Sequence, residues 1–116
     1  MSDPEARQIL DLAISEEEFL NQIIELARLC GWMVYHTRPA RTARGWRTPI
    51  QGNKGFPDLV LVKDKVIYAE LKAEKGLWSE DQAEWAKALE AAGQEYHLWR
   101  PRNWPEIERE LREGVL

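Results

Sequence analysis

Apolar positions along the chain follow two rhythms, and the switches between them mark out the elements. Phe19, Leu20, Ile23, Ile24, Leu26, Ala27 and Cys30 recur at three- and four-residue spacing, one stripe of an amphipathic helix. Ser15 with Glu18 three residues on is a capping box that starts this helix, and Gly31 stops it. Trp32 to His36 reads as a first strand. Two β-rich runs follow, Leu59-Val60-Leu61-Val62 and Val66-Ile67-Tyr68-Ala69-Glu70-Leu71-Lys72, joined by the polar turn Lys63-Asp64-Lys65. Pro57 stands at the start of the first run, where its missing N–H does least harm. Ser79 and Gln82 form a second capping box. Trp85, Ala86, Leu89 and Ala92 are the stripe of the helix it opens, and Gly93 ends that helix. Gln94 to Trp99 is a further strand, reached by a helical crossover and so expected to run parallel to the strand of Glu70. A last helix is predicted from about Pro105, a residue suited to a first helical position, to Arg112. Residues 1–14 have Pro4 and a weak apolar pattern through Ile9, Leu10, Leu12 and Ile14, and read as a flexible or loosely docked lead-in. The prediction is a single α/β domain over residues 15–116, in the order α-β-β-β-α-β-α, with a mixed central sheet flanked by helices.

Strand periodicity then decides which polar groups meet. Side chains alternate faces, so Tyr68, Glu70 and Lys72 share one face while Ile67, Ala69 and Leu71 take the other. The short hairpin brings Asp58 roughly opposite Glu70, and two carboxylates and a lysine converge within reach of one shared cation. An acid and a lysine two apart on a strand ordinarily mark a solvated face. Here they are set among Val, Leu, Ile, Tyr and Ala, where a charge is costly unless it is paired or binds metal. Carboxylate oxygens are hard ligands that suit Mg²⁺ or Mn²⁺.

Pro57-Asp58, eleven intervening residues and Glu70-Leu71-Lys72 resemble the signature of the PD-(D/E)XK nucleases. The longer set Gly55-Phe56-Pro57-Asp58, Glu70-Leu71-Lys72-Ala73, Ser79 and Gln82 is similar to the VRR-NUC branch, over roughly residues 15 to 100. The resemblance implies a restriction-endonuclease-like core with an extra C-terminal helix. It also implies a metal-dependent, structure-specific DNA endonuclease that cleaves branched DNA such as four-way junctions. Asp58, Glu70 and the Leu71 backbone carbonyl would hold Mg²⁺ or Mn²⁺, with Lys72 positioning the attacking water and Gln82 added to the site. In the resembled family a glutamate early in the first helix reaches the metal, and Glu16, three residues before Phe19, matches best. Glu17 and Glu18 are the alternatives, and acids in a first turn also complement the helix dipole without any further role. No organic cofactor is implied.

Composition adjusts this picture at a few points. A chain of 116 residues with 44% apolar content supports one core. No stretch has membrane-spanning length and no basic start leads into an apolar signal segment, so the expectation is a soluble intracellular protein without a membrane partner. Cys30, the single cysteine, sits in the apolar stripe and reads as a packed core thiol. A net charge of −4 is unpromising for DNA, but the charge is segregated. Residues 36–54 carry Arg38, Arg41, Arg44, Arg47 and Lys54 and no acid, whereas residues 1–35 hold seven acids against two bases. Arginines interleaved with Trp46, and Lys75 farther on, suit a phosphate backbone and an exposed base; a solvated loop is the plainer reading. His36 has no partner histidine nearby and belongs to the strand or to phosphate contact. Six tryptophans exceed what a core of this size readily hides, so Trp104 or the N-terminal apolar residues are expected to face a partner, in a homodimer that would supply two sites for two incisions. Other readings are a flap- or end-processing nuclease, a restriction-type nuclease, a non-catalytic nucleic-acid-binding module and a tryptophan-rich interaction protein.

Overall fold

The computed structural model describes residues 3–37, 40–42, 45–47 and 50–113, with backbone alone for 40–42 and 45–47. The N-terminal segment is helical: α1 spans Pro4–Ala13, with Pro4 at the first position and the Asp3 carboxylate accepting from the Glu5 N–H. None of its residues is buried, and Ile9, Leu10 and Leu12 are exposed. In α2 (Glu16–Leu29) both arms of the Ser15/Glu18 capping box are made, and Phe19, Ile23, Leu26 and Ala27 are buried. Gly31, at φ +89°, turns the chain out of the helix through the left-handed region that residues with a Cβ disfavour.

After β1 (Met33–His36), the basic loop contains a small antiparallel hairpin, β2 (Ala40–Thr42) with β3 (Gly45–Arg47), that the sequence pattern does not announce. The remaining elements are β4 (Leu59–Val62), β5 (Val66–Leu71), α3 (Glu80–Ala91), β6 (Glu95–Trp99), a 3-10 turn at Pro101–Asn103 and α4 (Trp104–Arg112). The main sheet has the order β1-β4-β5-β6. A short turn joins β4 to β5, which are antiparallel, whereas the α3 crossover makes β6 parallel to β5, as expected. The result is an α/β domain built on a mixed four-stranded sheet with flanking helices.

The sheet has one sealed face and one open face. Leu59, Leu61, Ile67, Ala69 and Leu71 pack against Phe19 and Ile23 of α2 and Ile107 and Leu111 of α4, all at most 1% exposed. Burying each large side chain of this kind contributes about 1.5–3 kcal/mol. Trp32 reinforces the seal by donating its indole N–H to the Leu111 carbonyl at 2.9 Å, and Cys30 is buried in the same core. Trp104 is half-buried and packs against this core with part of its surface.

Cross-strand register sets Tyr35, Val60, Tyr68 and Tyr96 side by side on the other face. Phe56 and Trp85 of α3 lie over this face at the β5 end, with Phe56 edge-on to Tyr68 at 6.1 Å and to Trp85 at 5.0 Å. Toward β1 the face is uncovered by the described residues, and Met33 and Tyr35 are 76% and 60% exposed. No helix among the described residues is long and apolar enough to cross a membrane.

Candidate functional site

The polar cluster lies where β4 begins and β5 ends. Leu59 pairs with Ala69, so the next step outward sets Asp58 against Glu70. Asp58 Oδ2 accepts from the Leu71 N–H at 2.9 Å, which ties the carboxylate across to β5. Gly55 controls the approach of this segment. Its φ is +95°, and a Cβ there would fall 2.5 Å from the Asp81 carbonyl carbon, so residues 55–58 run hard against the first turn of α3.

That turn carries Gln82, whose amide serves two purposes at once. Its Oε1 accepts from the Ser79 N–H at 2.9 Å and closes the capping box, while its Nε2 donates to Glu70 Oε2 at 2.8 Å. Lys72 Nζ lies 3.5 Å from the same Glu70 oxygen, and the Lys72 N–H donates to the Trp99 carbonyl, extending the β5–β6 ladder. Of Glu16, Glu17 and Glu18, it is Glu16 that feels this cluster. Partial burial raises its carboxyl, the Lys72 charge lowers it and the Asp58 charge raises it, although the side chain stays open to solvent. Glu18 is occupied in the capping box. The first turns of α2 and α3 thus both border the site, an arrangement whose dipoles favour an anion.

Glu70 is the decisive group. It is the one buried charged residue among those described, at 1% exposed, and its Oε1 has no hydrogen-bond partner. Burial, then the Asp58 charge and the close contact with the Asp58 carboxyl, push Glu70 up to about 8, against the opposing pull of Lys72. Without a cation the carboxyl is therefore largely protonated at neutral pH. A divalent ion would replace that proton, and an orphaned buried oxygen beside a second carboxylate offers the hard donors such an ion takes, with waters to complete its shell.

Two further residues adjoin the cluster: His36, read from the sequence as a strand residue or a phosphate contact, and Arg100, to which the sequence pattern assigns no role. His36 pairs in register with Leu59, and its Nδ1 lies 3.0 Å from the Asp58 carbonyl, so it stands at the site's edge. Arg100 donates from Nη1 to the carbonyls of Ala73 at 2.8 Å, Glu74 at 3.2 Å and Gly76 at 2.8 Å, clamping the loop that follows Lys72. The parallel register of Leu71 with Trp99 is the signal that puts Arg100 beside Lys72.

The expected DNA-contacting residues are only partly visible. Lys54 and Lys75 are exposed. Arg38 and Arg44, and the side chains of Arg41, Arg47 and Trp46, lie outside the described residues. No protein-family model matches the chain, and no curated protein is significantly similar to it.

A second ionic cluster lies three pairings down the sheet, on the sealed side. Ligand atoms of Glu95, His97 and Glu110 lie within 4.8 Å of one another. Lys65 already supplies the cation there, with Nζ 3.0 Å from Glu95 and 2.6 Å from Glu110, and His97 Nε2 lies 2.7 Å from Glu95. Burial would raise the Glu95 carboxyl, but hydrogen bonding to Glu110, His97 and Lys65 holds it at about 2. A cleft of about 460 Å³ between α1, α2 and the 3-10 turn contains none of Glu16, Asp58, Glu70, Lys72 and Gln82.

Proposed function

We propose that this chain is a divalent-metal-dependent DNA endonuclease of the PD-(D/E)XK type, in its VRR-NUC branch, hydrolysing phosphodiester bonds in branched DNA such as four-way junctions. The observation that carries the reading is Glu70: buried, with one oxygen unpartnered, beside Asp58 and within reach of Lys72. Asp58, Glu70 and the Leu71 carbonyl would hold Mg²⁺ or Mn²⁺. Bound there, the cation would supply Lewis acidity toward the phosphoryl oxygens and acidify a water.

The chain's own residues prepare that chemistry. Gln82 holds Glu70 Oε2 and leaves Oε1 free for a ligand, while the Leu71 N–H fixes Asp58 by Oδ2. The Lys72 side chain is only 14% exposed, and its ammonium neutralises charge that develops on the phosphoryl oxygens and positions the attacking water. Glu16 borders the same space from α2 and holds a water or its proton. Arg38, Arg41, Arg44, Arg47, Lys54 and Lys75 follow the phosphate backbone. One chain carries one such site, and two matched incisions in a junction call for two, so the working form is a homodimer.

A cleavage assay over a panel of DNA structures with Mg²⁺ or Mn²⁺ tests the reading. Symmetric cuts in a four-way junction, with plain duplex cut much less, are expected, together with a dimer in equilibrium sedimentation. A monomer that prefers flaps identifies an end-processing nuclease instead. Tight DNA binding with no cleavage in either metal leaves only a binding module.

A further inference from the structure

We propose that Leu77 and Trp78 form a wedge that stacks on an unpaired nucleobase beside the cleavage centre, and so select DNA with a branch, nick or end. The proposal rests on the nuclease reading and supplies its substrate selectivity.

Leu77 is 89% exposed and Trp78 is 41% exposed. Apolar residues scattered singly over a surface carry no message. These two are adjacent, and their mounting and position set them apart. The loop that presents them is fixed: Arg100 donates to three of its carbonyls, the Gly76 N–H closes a turn onto the Ala73 carbonyl at 3.0 Å, and the Glu74 carboxylate accepts from the Arg102 N–H at 2.7 Å. Ser79 then caps α3 immediately after Trp78. A pre-ordered apolar tip loses little freedom when something covers it.

Its position selects the occupant. Leu77 follows Lys72 by five residues, which bounds their separation at about 17 Å even for extended chain, and the turn at Gly76 shortens it. That bound is about five nucleotide steps of a duplex strand. Trp78 leads straight into α3, whose first turn carries Gln82 and its hydrogen bond to Glu70 Oε2, so the tip adjoins the site from this side too. Lys75 is exposed on the same loop, available to a phosphate. A DNA strand whose scissile group reaches Glu70 and Lys72 therefore carries its neighbouring nucleotides past a leucine and an indole. Duplex bases offer no free faces and separating them is unfavourable, whereas an unpaired base stacks on an aromatic ring whatever its identity.

Binding measured in EDTA, where the full chain does not cut, isolates this contact from catalysis. The ligands are a plain duplex, the same duplex with a single-stranded flap and a four-way junction, each with 2-aminopurine at or beside the discontinuity. The wild-type chain is expected to quench 2-aminopurine at the unpaired position, and Leu77→Ala/Trp78→Ala to lose that quenching and bind the flap and junction roughly tenfold more weakly, with duplex affinity unchanged. Trp78→Phe, which keeps a stacking face, is expected to recover most of the affinity, separating stacking from any loss of fold. Equal binding by double variant and wild type, or equal losses on all three ligands, overturns the wedge while leaving the nuclease reading intact. Failure of the wild-type chain to bind any of the three overturns both.

Discussion

The two faces of the central sheet differ in nearly every respect, although they are made by alternate residues of the same strands. Along β5, Ile67, Ala69 and Leu71 point into a core sealed by α2 and α4, while Tyr68 and Glu70 point to a face that Phe56 and α3 cover at one end and that the described residues leave uncovered near β1. On β4 and β5 every large side chain of the sealed face is aliphatic and fully buried. Among the described residues of the open face the one fully buried side chain is a carboxylate with an unmade hydrogen bond, and its immediate neighbours are Asp58, Lys72 and Gln82. The sealed face can hold the fold with stability to spare for the other, where burial beside a second carboxyl sets an acid well above its ordinary pKa.

The largest expected effect follows from mutating one residue on the open face. Glu70→Gln keeps the hydrogen bond to Gln82 possible but removes the ligand charge, as Asp58→Asn does across the strand. Either is expected to lower cleavage at least ~10³-fold, the scale of losing a principal charge-stabilising group. The urea midpoint of the metal-free chain should stay or rise, because folding no longer has to neutralise a buried carboxyl held beside a second acid. Near-normal turnover in either variant would sink the metal assignment. A mutation on the sealed side should do the reverse. Leu61→Ala opens a cavity in a fully buried position and is expected to cost about 2–5 kcal/mol, while activity per folded molecule is preserved. If both variants lost stability alike, the division between faces would be false.

Titration sharpens the same contrast. Glu70 has a folded value of about 8 against an ordinary 4.5, so the native state binds its proton more tightly than the unfolded chain does. Its contribution to stability is complete below about pH 4.5 and is lost as pH rises through about 8. The metal-free protein should therefore become easier to unfold across that window, and Glu70→Gln should flatten the trend. Stabilisation by Mg²⁺ or Mn²⁺ should grow with pH over the same range, since the cation competes with that proton. Urea midpoints at intervals from pH 5 to 8, with and without metal, test both halves. A wild-type slope identical to that of Glu70→Gln would place the proton elsewhere.

Much of this geometry was legible in the sequence because it rests on local rules. Two capping boxes, a short polar turn and period-two alternation are enough to set Asp58 against Glu70 and to give β6 its direction. What escaped depends on contacts between distant segments or on weak patterns. The start of α1 is signalled by Asp3 and Pro4, but none of its residues is buried, and Ile9, Leu10 and Leu12 stay exposed, so no core contact marks it as part of the fold. The β2–β3 hairpin lies in an arginine-rich loop without apolar alternation. Arg100 could not be read as a clamp until β6 lay beside β5, and the Lys65 cluster joins a turn, a strand and a helix that are far apart in the chain.

That cluster provides the smallest test, at the rim of the sealed face. Lys65 is 42% exposed and its partners Glu95 and Glu110 are 30% and 25% exposed, so solvent screens both ion pairs. Pairs of this exposure contribute about 0.2–1 kcal/mol. Lys65→Met keeps the apolar stem and removes the charge, and is expected to cost less than about 1 kcal/mol at pH 7 in low salt, a difference that added salt should shrink. The pH dependence runs opposite to that of Glu70. Glu95 sits at about 2 when folded against an ordinary 4.5, so its stabilisation is complete above about pH 4.5 and is lost as pH falls through about 2. The gap between wild type and variant should be widest near neutrality and close in acid. Because Glu95 pairs with Ile67, three positions down β5 from Glu70, cleavage should not change. Slower cleavage in Lys65→Met at unchanged stability would mean that the charge at the rim reaches through the sheet, and that the two faces are not independent.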